Sequence, residues 1–91
     1  MNLKRGNINS ILVTGRDLSE TYTLSFVSVL TQTVKTCKVE NEGSANGPLL
    51  LTFEITEKPT AVDDIDLGEG DHILDVIGDT GSIWSEQVRV D

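Results

Sequence analysis

Five carboxylates fall within nine residues, at Asp63, Asp64, Asp66, Glu69 and Asp71, in a stretch bent by Gly68 and Gly70. Hard cations such as Ca²⁺ take several oxygen ligands from a glycine-bent loop, so these five are the candidate metal ligands of the chain. The stretch departs from the EF-hand loop. Counted from Asp64, Gly68 holds the fifth place, Glu69 the sixth where glycine is needed, and Asp75 the twelfth in place of Glu. The competing reading is a solvated turn guarded by charge, with no metal site and no cofactor.

Nucleophilic chemistry has little to draw on. His72 is the single histidine and Cys37 the single cysteine, so a Ser/His/Asp or Cys/His site would have to use these two residues. Zinc would need about four ligands, which the pair cannot supply. His72 opens an alternating run with Leu74 and Val76, which predicts a ring at the margin of the core; Cys37 alternates with Val39 and reads as a small buried hydrophobe. Carboxylates such as Glu54 lie opposite an apolar set, on a solvent face. None of the eight glycines falls in a phosphate-cradling pattern. Not an enzyme is the expectation. Flat amphipathic rings suit docking. Tyr22 shares parity with Leu24 and Phe26 and is expected in the core; Trp84 shares parity with Val88 and Val90, which favours the core there too, with an exposed docking residue as the alternative.

The elements that must hold these residues read as strands, because apolar residues recur at every second position in Val-, Ile- and Thr-rich segments. Tyr22, Leu24 and Phe26 share one face until Val27 and Val29 interrupt the polar one; Leu49, Leu51, Phe53 and Ile55 oppose Leu50, Thr52, Glu54 and Thr56. Further strands are expected at Ile8 to Thr14, Val34 to Val39, Ala61 to Leu67, His72 to Ile77 and Ile83 to Val90, the last two forming a hairpin across Gly78 to Gly81. The other turn signals are Gly15-Arg16-Asp17, the 41 to 48 stretch, Lys58-Pro59 and 68 to 71. About seven short strands in one domain, residues 1–91, predict an all-β fold, a small immunoglobulin-like antiparallel β-sandwich, with a partly open barrel as the alternative. Its edge strands would be open to pairing with another chain.

Composition narrows the partners. Seven Lys and Arg against fifteen Asp and Glu give a net charge of −8, and eleven of the acids lie in residues 46–91. The basic residues are scattered, so nucleic acid is not an expected partner, and the same charge disfavours anionic membranes. A positive start followed by Gly6, Asn7, Ile8, Asn9 and Ser10 does not read as a signal peptide, and no apolar run approaches the roughly 20 residues of a transmembrane helix. Lone Cys37 leaves packing to hold the core. Synthesis in the cytoplasm is expected.

Two stretches carry a resemblance. Met1-Asn2-Leu3-Lys4-Arg5-Gly6-Asn7, leading into Ile8 to Thr14 and Tyr22-Thr23-Leu24-Ser25-Phe26, and the ending Gly70-Asp71-His72-Ile73-Leu74-Asp75-Val76 with Glu86-Gln87-Val88-Arg89-Val90, resemble small virion proteins of tailed phages, particularly crAss-like phages and their relatives. The chain differs from that group at His72, Leu74 and Gln87 and is shorter. The resemblance implies a non-enzymatic structural protein located in the virion, made in the host cytoplasm: an auxiliary or decoration capsid protein docking on the major capsid protein. A head-fibre, connector or tail component is the alternative, and a homo-oligomer within the particle is compatible with it. Lys4, Arg5 and Arg16 would then face the partner, with Trp84 as a further contact, while the acidic 63 to 79 region faces solvent. The competing class is a free-standing carbohydrate- or protein-binding sandwich that works through Trp84 and the acidic loop.

Overall fold

The computed structural model describes residues 1–14, 19–43 and 47–91, which form eight strands in two sheets and no helix. They are β1 (Asn2–Leu3), β2 (Ile8–Val13), β3 (Tyr22–Ser28), β4 (Val34–Val39), β5 (Leu49–Ile55), β6 (Asp64–Ile65), β7 (Gly70–Gly78) and β8 (Gly81–Val90). The larger sheet runs β1-β8-β7-β3-β4 and the smaller β2-β5-β6. The expected turn at Gly15-Arg16-Asp17 and the middle of the 41 to 48 loop lie outside the described residues.

Alternation places the core. Tyr22, Leu24 and Phe26 of β3, Leu74 and Val76 of β7, and Val88 and Val90 of β8 point inward from the larger sheet; Ile11, Val13, Leu49, Leu51, Phe53 and Ile55 meet them from the smaller one. Phe26 and Phe53 join the layers, their ring centroids 5.6 Å apart at a tilt of 53°. Leu3, Ile65 and Leu67 close the margins.

Eight strands stand where about seven were expected, and two pairings are parallel, β1 with β8 and β5 with β6. A two-residue strand such as β1 has no periodicity to read, and its partner lies at the other end of the chain. The segment Ala61 to Leu67 narrows to β6 because Asp64 folds the preceding residues into a turn: its Oδ2 accepts from the N–H groups of Thr60 (3.0 Å) and Ala61 (2.9 Å). β8 starts at Gly81, two residues before the expected Ile83, and its register with β7 shifts between Val76, opposite Trp84, and Ile77, opposite Ser82, which leaves Ile83 as the extra residue.

The Lys4-to-Asn7 segment carries the chain from the larger sheet to the smaller. Gly6 supplies a φ of 75°, and the Asn9 side chain ties the crossover: its Oδ1 accepts from Lys4 N (2.9 Å), and its Nδ2 donates to the carbonyls of Lys4 and Asn7 (both 3.0 Å).

Candidate functional site

At one end of the sandwich the turn after β3 and the segment leading into β7 frame an open cleft of about 630 Å³. Phe26, Leu67 and His72 line its apolar part, and Lys35, Glu69 and Asp71 belong to its charged wall. His72 is buried, as its alternation with Leu74 predicts; its ring meets Phe26 edge-on with centroids 6.5 Å apart, and Nδ1 lies 3.2 Å from Gly70 O. The nearby hydroxyls serve the turn: Ser28 Oγ accepts from Thr31 N (3.2 Å), and Thr31 Oγ1 donates to Thr33 Oγ1 (3.0 Å). Cys37 belongs to a different part of the core. It pairs with Leu24 whereas His72 pairs with Ser28, four residues farther along β3, or roughly 13 Å. Burial, helped by the negative charges of Asp63 and Asp64, pushes the Cys37 thiol up to about 12, so a thiolate does not form there at neutral pH.

The acidic segment does not converge on one point. Asp64 is engaged with the 60–61 backbone, and those hydrogen bonds hold its carboxyl below the usual carboxylate range. Asp71 lies 3.6 Å from Arg89, which also reaches the Asp91 carboxylate at 3.1 Å. Asp66 and Glu69 line the cleft, and the backbone carbonyl of Asp63 accepts from Glu54 N (3.1 Å). Among the described residues, no group of three or more His, Cys, Asp or Glu could hold a metal ion.

The candidate contact residues separate. Lys4 is exposed, and the Arg5 guanidinium is 3.2 Å from Glu57 while Arg5 N donates to Asp91 O (3.0 Å). Both follow β1, which ends beside Val90, and Val90 also pairs with Gly70, so they emerge at the same end of the sandwich as the 66–71 segment. Arg16 lies outside the described residues. Trp84 is half-buried against the core, opposite Val76, and stands six residues along β8 from the Val90–Gly70 pair, a separation of roughly 20 Å. Trp84 and the 66–71 segment therefore do not make one working surface. Tyr22 is buried, in agreement with its parity.

A feature the sequence reading did not assemble lies on the outer face of the larger sheet. Val34, Val27 and Ile73 are directly paired across β4, β3 and β7, so their side chains form one row on the solvent side, and Val29 follows just beyond the end of β3. Val34 is 59% and Val29 45% exposed, and Leu30 in the adjoining turn is 91% exposed. Val27 and Val29 were visible as a break in the polar alternation; only the register brings Val34 and Ile73 beside them. No helix of the described residues is long and apolar enough to cross a membrane. No protein-family model matches the chain, and no curated protein or solved structure does either.

Proposed function

We propose that the chain is a non-enzymatic, immunoglobulin-like sandwich that serves as an auxiliary capsid protein of a tailed-phage particle, docking on the major capsid protein. The observation that carries a docking role is the outer apolar row of Val27, Val34 and Ile73, with Val29 next along the chain. Single exposed apolar residues are ordinary, but a contiguous set on the solvent face of a sheet marks a surface that a partner covers. The phage setting rests on the resemblance of the two terminal stretches alone.

Strand order supports the finer fold reading. The first strand lies parallel to the last, the last two pair with the third and fourth in one sheet, and the second pairs with the fifth in the other. The separation of β2 and β5 from β3, β7 and β8 is what supports an immunoglobulin-like reading, while β1, on the sheet of the last strand, and the short β6 are departures from the ABED and CFG division. Lys4 and Arg5 lead off β1, an edge of the sheet that bears the apolar row.

The test is quantitative mass spectrometry of gradient-purified particles, following the tryptic peptide from Asp17 to Lys35 against the most abundant shell protein. Hundreds of copies per particle support capsid decoration; about a dozen point to a head-fibre, connector or tail component. Absence from particles overturns the virion reading and leaves a free-standing binding module. Val34→Lys and Ile73→Lys place charge in the apolar row and are expected to lower incorporation at least about tenfold, with the fold retained by circular dichroism. Unchanged incorporation overturns the choice of face.

A further inference from the structure

The two sheets have four edges, and three of them are guarded. The two-residue β1 covers only Arg89 and Val90 of β8, and the rest of that edge carries the charged Glu86 and the register shift opposite Val76/Ile77; the two-residue β6 covers Glu54 and Ile55 of β5, whose Leu50 and Leu51 are met by Glu42 and Asn41. β4 carries Lys35 and Lys38, and the N–H of Lys38 is already taken by Val62 O at 2.9 Å. Short edges, edge lysines and covering segments are the usual devices against unwanted pairing. Among the described residues, β2 has none of these. It is six residues long, lies at the end of the smaller sheet, and sits within an uncharged run from Gly6 to Gly15.

The orientation of its backbone follows from the ladder. Ile55 N donates to Asn7 O at 3.1 Å, and β2 and β5 continue in unbroken antiparallel register from Ile8↔Glu54 to Val13↔Leu49. Alternate residues of an antiparallel strand point their N–H and C=O groups to opposite sides, so Asn7, Asn9, Ile11 and Val13 face β5 while Ile8, Ser10 and Leu12 face the open edge. The side chains of these same three residues lie on the outer face, Ile8 at 69% and Leu12 at 63% exposure.

We infer that β2 is a self-association edge, at which two copies of this chain pair antiparallel through Ile8, Ser10 and Leu12 about a two-fold axis at Ser10. The sequence is self-complementary about that point: Ser10 meets Ser10 of the second copy, and Ile8 meets Leu12. All three outward-facing residues then exchange hydrogen bonds, about six between the chains, and the smaller sheets join into one. Ile8 and Leu12 cover one another, with Leu50, the cross-strand partner of Leu12, extending the apolar strip. A second copy fits the charge as well. Chains of net −8 repel one another over most of their surfaces, and β2 itself, Ile8–Val13, brings no charged residue to the edge. Among the described residues flanking the edge, Glu54, the cross-strand partner of Ile8, ends up roughly 20 Å from Glu54 of the second copy, beyond the ~8 Å screening length at physiological salt. Pairing of two six-residue edges buries less than the ~1,000 Å² of a durable interface, so the dimer is weak and depends on concentration.

Sedimentation equilibrium from about 10 μM to about 1 mM, combined with residue-resolved amide exchange, tests this. The expected result is a monomer–dimer equilibrium in which the Ile8, Ser10 and Leu12 amides gain protection as concentration rises, while those of Asn9 and Ile11 are protected throughout. Leu12→Lys, at a solvent-exposed side chain, weakens the dimer at least about tenfold; Ser10→Pro removes an N–H that faces the open edge and does the same. Three outcomes overturn the inference: a monomer at the highest concentration, a dimer indifferent to Leu12→Lys, or a dimer lost instead on Val34→Lys, which would place association on the outer face of the larger sheet. None of these bears on incorporation into particles, which the docking test reads separately.

Discussion

The thiol of Cys37 ionises in the unfolded chain near its ordinary value of 9.0 but is held protonated in the fold up to about 12. Between those values the unfolded state binds fewer protons than the folded one. The stability contributed by the neutral buried thiol is complete below about pH 9 and is lost progressively as pH rises toward about 12. Cys37→Val, which cannot ionise and keeps an apolar side chain, is expected to show a shallower alkaline decline of the urea midpoint than the parent protein. Equal slopes would remove Cys37 as the cause. Asp64 has the opposite sign: its carboxyl is depressed by the Ala61 and Thr60 N–H groups, so its contribution is present above the ordinary value of 3.8 and is lost as pH falls through the lower folded value. Asp64→Ala should lower the urea midpoint at neutral pH and flatten the acid limb of the stability curve, because two backbone donors lose their acceptor.

Strands with long alternating patterns are legible in the sequence alone. Leu49, Leu51, Phe53 and Ile55 are buried and the residues between them half-exposed, which is the order their spacing predicts. Val34–Val39 has the expected ends. β1 and β6 were not legible as strands of their own size, because two residues carry no period and their pairing depends on partners distant in the chain. The β7–β8 hairpin closes at Gly81, whose φ of 117° lies in a region that side chains with a Cβ rarely adopt, although nothing crowds the place a Cβ would occupy. Gly81→Ala should therefore cost about 1–3 kcal/mol through backbone strain alone, read as a fall in the urea midpoint. A neutral result would show that the hairpin relaxes to another turn.

At the scale of the whole molecule, a single cluster of buried side chains joins both sheets, and Phe53 is the largest contribution from the smaller one. Phe53→Ala removes the ring that meets Phe26 and should cost about 3–5 kcal/mol, a large part of the ~5–15 kcal/mol that holds a domain of this kind. Thermal denaturation followed by circular dichroism would show it as a lowered midpoint. The opposite faces are a contrast in chemistry. The solvent side of the larger sheet carries the Val27, Val34 and Ile73 row, whereas that of the smaller presents Ser10 hydrogen-bonded to Thr52 (3.0 Å) between the Ile8 and Leu12 positions of the open edge. A small acidic chain with two such surfaces is suited to assembly, since charge keeps copies apart until a geometrically matched partner is met.

Composition and alternation by themselves determined that this chain folds as β, which residues of the long strands point inward, that Tyr22 and His72 enter the core and its margin, and that charge accumulates toward the C-terminal half. Those properties are local: a strand's two faces follow from a period of two, and charge from counting. The pairing of β1 with β8, the dispersal of the five carboxylates, the distance between Trp84 and the 66–71 segment, and the row that joins Val27, Val34 and Ile73 were decided only in three dimensions. Each depends on register between strands far apart in the chain, and register is set by which apolar faces must meet across the core, a condition no single segment contains.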